Sequence, residues 1–90
     1  MKKDKLYDEI VDLDQSFYMW FLPRLVCFRK HNKSFPEKYR NIESWNQEID
    51  NVISSLNELV NNLDLGFDKF EEHRKFVRQW VGENLNHLWL

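Results

Sequence analysis

The fold of this chain is decided by residues 44–63, which read SWNQEIDNVISSLNELVNNL. Apolar residues recur here at steps of three and four, which is the spacing of one buried face of an α-helix. That face consists of Trp45, Ile49, Val52, Ile53, Leu56, Leu59, Val60 and Leu63. Ser44 and Gln47 have the spacing of a capping box at the helix start. The pattern predicts a helix over 45–64, closed by Gly66 in a left-handed conformation.

A second helix is predicted downstream, over 69–88. Asp68 and Glu71 have the spacing of another capping box, and an apolar stripe follows that includes Phe67, Phe70, Val77, Val81, Leu85 and Leu88. Gly82 is a weak point inside this helix, because glycine loses more backbone freedom on folding than other residues do. A turn of a few residues between the two helices predicts that they form an antiparallel pair.

Upstream, apolar residues at the same steps predict a helix over about 5–31, with Asp4 as a possible cap; they are Leu6, Ile10, Leu13, Phe17 and Phe21. Pro23 lacks a backbone N–H and crowds the preceding turn, so we expect a kink or a break near residue 23. The polar stretch that follows contains Phe35 and Tyr39, which can fold back onto the helices. We therefore predict one all-α domain over 1–90, a small three- or four-helix bundle.

Composition argues against several functional classes. Cys27 is the only cysteine among 90 residues, so no internal disulfide can form and a reducing cytoplasm is the expected compartment. The N-terminal segment is basic and then acidic rather than apolar, and no apolar run is long enough to span a bilayer, so neither a signal peptide nor a membrane anchor is expected. Two glycines, Gly66 and Gly82, cannot form a glycine-rich phosphate loop.

We do not expect a metal site, a cofactor or enzymatic catalysis. Cys27 and His31 are spaced to face one way on a helix, but a structural zinc needs four ligands, and His73 and His87 are far away in sequence. No serine or cysteine lies in a nucleophile motif. A group of carboxylates in the first predicted helix is better explained as a solvated face than as a cation site; it comprises Asp8, Glu9, Asp12 and Asp14.

Residues 24–40 offer one alternative function, the binding of nucleic acid. Six basic residues against Glu37 give this segment a net charge of +5; they are Arg24, Arg29, Lys30, Lys33, Lys38 and Arg40. Basic residues interleaved with aromatic ones can follow a phosphate backbone and stack on bases. The whole chain has a net charge of −2, however, and the next segment is acidic, so mutual neutralisation within the fold is the preferred interpretation.

The apolar surplus favours protein binding. Six consecutive bulky residues, Phe17 to Leu22, point in every direction around a helix. In the last helix, a flank about 60–100° from the main stripe carries further aromatic and histidine side chains. The candidate partner-binding residues are Trp80, Phe76, His73 and His87 on this flank, and Tyr18, Met19 and Leu22 on the first helix. These side chains either contact a protein partner or a second copy of the chain, or belong to the core.

The aromatic segment Phe17–Phe28, followed by Phe35-Pro36 and Ser44-Trp45, resembles small aromatic-rich proteins of unknown function that bacteriophages and prophages encode. The resemblance is one of size, composition and helix pattern, and it assigns no site residues. It implies a non-enzymatic accessory protein that acts in the host cytoplasm and binds, inhibits or redirects a host protein such as a defence enzyme.

Overall fold

The computed structural model describes residues 6–62 and 64–90, which form four α-helices and a 3₁₀ turn. The helices are α1 (Tyr7–Val11), α2 (Leu13–His31), α3 (Ile42–Asn61) and α4 (Phe67–Asn84), and the 3₁₀ turn is Leu85–His87. No strand occurs within these residues, which confirms the predicted all-α class. The suggested cap Asp4 and the stripe residue Leu63 lie outside the described residues. No described helix is both long and apolar enough to cross a membrane.

The central element is α3, and both α2 and α4 pack on it. Its apolar face is almost completely buried and supplies half of the core, namely Trp45, Ile49, Val52, Leu56 and Leu59. Tyr18, Phe21 and Leu25 of α2 and Val77 and Trp80 of α4 complete it. Between the described parts of α2 and α4, by contrast, no Cα atoms approach within 8 Å. The two outer helices are therefore held together mainly through α3.

The helix caps differ from those predicted. Helix α3 begins three residues before Trp45, because the side chain of Asn41 accepts a hydrogen bond from the backbone N–H of Ser44 at 2.9 Å. Gln47 donates to Asn51 instead of reaching back to Ser44. The predicted capping box at Ser44 is thus wrong, since Asn41 is an equally good cap and lies earlier in the chain.

The connection between α3 and α4 also differs in detail. Helix α3 ends at Asn61, and Gly66 has φ −60° and ψ 155°, so it is an extended residue at the start of α4 rather than a left-handed closure of α3. Helix α4 begins at Phe67 with no side-chain cap, so the predicted capping box at Asp68 is wrong as well. The short connection still makes α3 and α4 the predicted antiparallel pair.

Helix α2 continues through Pro23, so of the expected kink or break the break does not occur. Proline removes the donor that would pair with the carbonyl of Met19, but Met19 and Pro23 are both exposed and water can bind that carbonyl instead. The interruption lies at Asp12, whose φ of −137° and ψ of 72° separate α1 from α2. In the loop after α2, Tyr39 does fold back, with its ring centroid 5.0 Å from that of Trp45.

Candidate protein-binding cleft

An apolar cleft lies between α2 on one side and α4 with the residues that follow it on the other, where no Cα atoms of α2 and α4 approach within 8 Å. It consists of two adjoining cavities of about 370 and 250 Å³. The first is lined by Leu13, Asp14, Phe17, Tyr18, Val77, Arg78 and Val81, and the second by Trp20, Phe21, Arg24, Leu25, Phe28, Leu85 and Leu88. Phe17 in the first cavity stacks on Phe21 in the second, with 5.3 Å between ring centroids, so the two cavities are neighbours along α2.

The cleft follows from the helical repeat on both walls. On α2, Leu13, Phe17 and Phe21 are successive residues of one stripe. The corresponding stripe on the other wall is Val77 and Val81 of α4 and Leu85 of the 3₁₀ turn that follows. The inner members of each stripe pack against α3, whereas the outer members remain open to solvent. Trp20 is 52% exposed and Leu85 is 61% exposed, although both are large apolar side chains. Large apolar side chains that are exposed beside one another are typical of interaction surfaces.

Charges at the cleft are mainly positive. The guanidinium of Arg24 lies 4.4 Å from the centre of the Trp20 ring and donates to the Trp20 carbonyl oxygen at 2.9 Å. Arg78 lines the cleft on the opposite wall. Within the described residues, no carboxylate lies within 4.0 Å of either arginine. Both cations are therefore available to an acidic group on a bound partner.

The acidic side chain in the cleft, Asp14, is already paired. It lies 2.9 Å from Arg74, which also contacts Glu71 at 2.6 Å. A hydrogen bond with Asp12 lowers the pKa of Asp14 and raises that of Asp12. A hydrogen bond with Tyr18 raises the pKa of Arg74, as do the neighbouring carboxylates. This group links α2 to α4 through side chains.

The predicted binding flank of the last helix is not one surface. Trp80 is only 3% exposed and stacks on Trp45, so the prediction that it lies on an exposed flank is wrong. His73 is half-buried, with Nδ1 3.0 Å from the Ser55 hydroxyl. His87 lies at the far end, in a cavity of about 150 Å³ beside Trp45 and Trp89. Phe76 alone stays exposed on that flank.

The three candidate residues of the first predicted helix lie in α2 and do not share one surface. Tyr18 is buried in the core and Leu22 packs against it, so neither presents the exposed surface that was expected. Met19 is 57% exposed but does not line the cleft. Of the three, Tyr18 lines the candidate cleft, together with neighbours such as Phe17 and Trp20, which the sequence pattern assigned to the general apolar surplus.

Half of the basic residues proposed for nucleic-acid binding make contacts within the protein. Arg24 lies on Trp20, and Arg29 forms a two-point ion pair with Asp50, at 3.0 and 3.4 Å. Lys38 lies 5.3 Å from the centre of the Tyr39 ring. The exposed Lys30, Lys33 and Arg40 remain. The pair of Arg29 and Asp50 is a case of the neutralisation between the basic segment and α3 that the sequence suggested.

The described residues contain no group of three His, Cys, Asp or Glu side chains arranged to hold a metal ion. The thiol of Cys27 lies 3.8 Å from Nδ1 of His31, but that nitrogen is also 2.9 Å from the Cys27 carbonyl oxygen. The pair is therefore a local helix contact.

No protein-family model, curated protein or solved structure matches this chain. We therefore infer its function from the geometry and charge of the cleft.

Proposed function

We propose that the chain is a small non-enzymatic protein-binding protein that holds an amphipathic helix of its partner in the cleft between α2 and α4. The observation that carries this proposal is an open apolar cleft in which Phe17, Trp20 and Leu85 are exposed to solvent. An apolar groove between two helices is a common docking site for the apolar face of a third helix.

The dimensions of the cleft suit such a helix. Its α2 wall runs from Leu13 to Phe28, which corresponds to about 22 Å of helix at 1.5 Å per residue. A partner helix of about four turns has this length and would place apolar residues at three- and four-residue steps against the cleft. The side chains of Trp20 and Phe17 are of the kind that supplies much of the binding energy at protein interfaces.

The charges suggest the chemistry of the partner. Arg24 and Arg78 lie on opposite walls and are not neutralised by described carboxylates. Acidic residues on the two sides of the partner helix's apolar stripe would form ion pairs with Arg24 and Arg78. Basic residues at the same positions would be repelled. The preferred partner is therefore a protein with an exposed amphipathic helix whose flanks are acidic.

The resemblance to phage-encoded accessory proteins supports a more specific form of this proposal. A phage protein of this kind would meet a host protein in the host cytoplasm, and occupation of a functional helix on that protein would inhibit or redirect it.

The experiment compares two neighbouring substitutions on α2. Trp20→Ser removes a cleft residue, and Met19→Ser is the matched control, since Met19 is similarly exposed but lies outside the cleft. Binding is measured by fluorescence anisotropy with two labelled amphipathic helical peptides that differ only in acidic or basic flanks. We expect the protein to prefer the acidic peptide and Trp20→Ser to weaken its binding at least about tenfold, a typical loss for a central interface aromatic.

Met19→Ser should bind as the unchanged protein does. Equal binding by Trp20→Ser and Met19→Ser, or no preference between the peptides, would contradict the proposal. The same two variants then help to identify the natural partner in a lysate. It is the protein that the unchanged chain and Met19→Ser both capture and that Trp20→Ser fails to capture.

A further inference from the structure

We propose that the chain has a second binding site, an aromatic pocket that holds a proline-rich segment of another protein in the polyproline II conformation. The pocket lies where the loop after α2 meets the residues after α4, and Phe35, Pro36, His87 and Trp89 line both of its parts. It shares no lining residue with the cleft between α2 and α4, so this inference does not rest on the function proposed for that cleft.

The first observation is the size of the pocket. Its smaller part has a volume of about 150 Å³ and includes the buried Trp45, and its larger part has about 380 Å³ and includes Glu37 and Lys38. An apolar cavity of about 150 Å³ accepts a benzene ring, and the five-membered ring of proline is smaller. Polyproline II has three residues per turn, so two prolines three positions apart lie on one side, about 9 Å from each other. Two such prolines suit two adjoining cavities.

The second observation is that the aromatic walls of the pocket are open. Trp89 is 69% exposed and Phe35 is 42% exposed. Within residues 6–62 and 64–90, no other aromatic ring stacks on either of them. Grooves lined by aromatic side chains are the usual docking sites of proline-rich segments.

The third observation concerns hydrogen-bond donors. A polyproline II segment forms no internal hydrogen bonds, so its carbonyl oxygens need donors from outside. The Ser34 hydroxyl and the Trp89 indole N–H are such donors, and neither has a partner in the part of the chain that the structure describes. A helical segment pairs its own carbonyl oxygens along most of its length, so these donors favour an extended ligand over a helix.

The fourth observation is that the pocket is held in shape before any ligand arrives. The buried Asn32 donates from Nδ2 to the Ser34 carbonyl oxygen at 2.6 Å. The backbone N–H of Tyr39 donates to the Pro36 carbonyl oxygen at 3.0 Å. On the other wall, Leu88 packs against the core. Binding to a preformed site costs less conformational entropy than binding to a disordered loop.

Charge at the edge of the pocket favours a basic residue next to the prolines. Glu37 is exposed, and no cationic group of the described residues lies within 4.0 Å of it. The neighbouring Lys38 ammonium lies over the Tyr39 ring, 5.3 Å from its centre. A lysine or arginine of the ligand therefore finds an unpaired carboxylate at Glu37.

The test measures binding of a labelled synthetic peptide to the full chain by fluorescence anisotropy. The peptide has two prolines three positions apart and a flanking arginine, and its control has alanine in place of both prolines. Trp89→Ala removes an exposed wall of the pocket. Phe67→Ala is the matched variant, because Phe67 is 77% exposed and lines neither the pocket nor the cleft. Circular dichroism checks that each variant is folded.

We expect the unchanged chain to bind the proline peptide at least about tenfold more tightly than the alanine peptide. Trp89→Ala should weaken binding of the proline peptide at least about tenfold, whereas Phe67→Ala should leave it unchanged. Trp89→Phe should fall between Trp89→Ala and the unchanged chain, because it keeps a ring and loses the N–H donor. Equal binding of the two peptides, or equal binding by Trp89→Ala and Phe67→Ala, would overturn the proposal.

Two further measurements test the ligand and the place of binding. An aromatic pocket beside a carboxylate is also a site for quaternary ammonium groups, so tetramethylammonium is the competing probe. A chain that binds tetramethylammonium and not the proline peptide overturns the proposal. Trp20→Ser, in the cleft, should leave binding of the proline peptide unchanged, and Trp89→Ala should leave binding of the acidic helical peptide unchanged. Loss of the proline peptide in Trp20→Ser would place that peptide in the cleft and likewise overturn the second site.

Discussion

The indole rings of Trp45 and Trp80 stack with 5.7 Å between their centroids and 20° between their planes. Trp45 is 1% exposed, so the stack lies inside the protein and joins α3 to α4. Two large aromatic side chains in such contact contribute their burial and an additional attraction between the rings. The stack is therefore a main contact between these two helices.

Replacement of Trp80 by alanine should destabilise the protein by about 3–5 kcal/mol, because it leaves a large cavity beside Trp45. Phe76→Ala is the control on the same helix, and its exposed side chain should cost less than about 1 kcal/mol. Urea unfolding measures both. A Trp80→Ala variant that unfolds at the same urea concentration as the unchanged chain would show that the stack contributes little.

Leu56→Ala should lower the free energy of unfolding by about 2–5 kcal/mol, since Leu56 is completely buried on the central face of α3. Ile53→Ala should cost less, because Ile53 is only partly buried against the core. Asn57→Ala, on the exposed face, should be nearly silent. Equal losses at all three positions in denaturant melts would mean that the buried face of α3 lies elsewhere.

Asn41→Ala should destabilise α3 by about 1 kcal/mol, because it removes the acceptor of the Ser44 N–H. Ser44→Ala should change stability by less than about 0.5 kcal/mol, since the Ser44 side chain does not cap the helix. Thermal melts of the two variants distinguish the caps. The reverse order of effects would restore Ser44 as the cap.

Gly82→Ala should stabilise the protein by about 0.5–1 kcal/mol. Gly82 lies inside α4, and a Cβ atom there would meet nothing within 4 Å. Alanine therefore has room and restricts the unfolded chain more than glycine does. A urea midpoint below that of the unchanged chain would reveal a contact at this position that the structure does not show.

Stability should fall in strong alkali through Tyr39. Burial raises the pKa of Tyr39 to about 12 from an ordinary 10.0, aided by its hydrogen bond with Glu48 and the negative charges of Glu48 and Glu83. Between these two values the unfolded chain releases the phenolic proton while the folded protein keeps it. The contribution of Tyr39 to the free energy of unfolding is therefore complete below pH 10. It declines as the pH rises toward 12, by on the order of 2 kcal/mol.

Urea melts at pH 10 and pH 12 measure this decline, and Tyr39→Phe is the control that lacks the titrating group. The unchanged chain should lose more stability over this interval than Tyr39→Phe does. The same loss in both proteins would assign the alkaline effect to other residues.

The sequence predicted α3 well because its apolar and polar residues separate cleanly around the helix, and burial follows that division from Trp45 to Leu59. The cap was missed because Asn41 and Ser44 are comparable capping residues, and spacing alone cannot choose between them. The expected break at Pro23 does not occur for a different reason. The cost of a proline depends on whether water reaches the freed carbonyl, which is a property of the packed structure.

The cleft could not be predicted because it depends on how closely two helices approach in the packed structure, where no Cα atoms of α2 and α4 lie within 8 Å. The stripe predicted for the last helix includes Leu85, which belongs to the 3₁₀ turn after α4 and is 61% exposed. Since both helices pack on α3, the buried face of α4 turns toward Trp80 and Asn84, and Leu85 is left in the cleft. The same rotation moves Trp80 from the expected flank into the core.

The central position of α3 also has a consequence for the speed of folding. Every backbone contact between described helices joins elements that follow one another in the chain, because α2 meets α3 and α3 meets α4. Such contacts close only short loops, and helical proteins with this property fold within about microseconds to milliseconds. Either helix pair, α2 with α3 or α3 with α4, can form first, and the remaining helix then packs on α3. Under the proposed function, substitutions on the outer walls of the cleft should change how long a partner stays bound, while the folding rate remains the same.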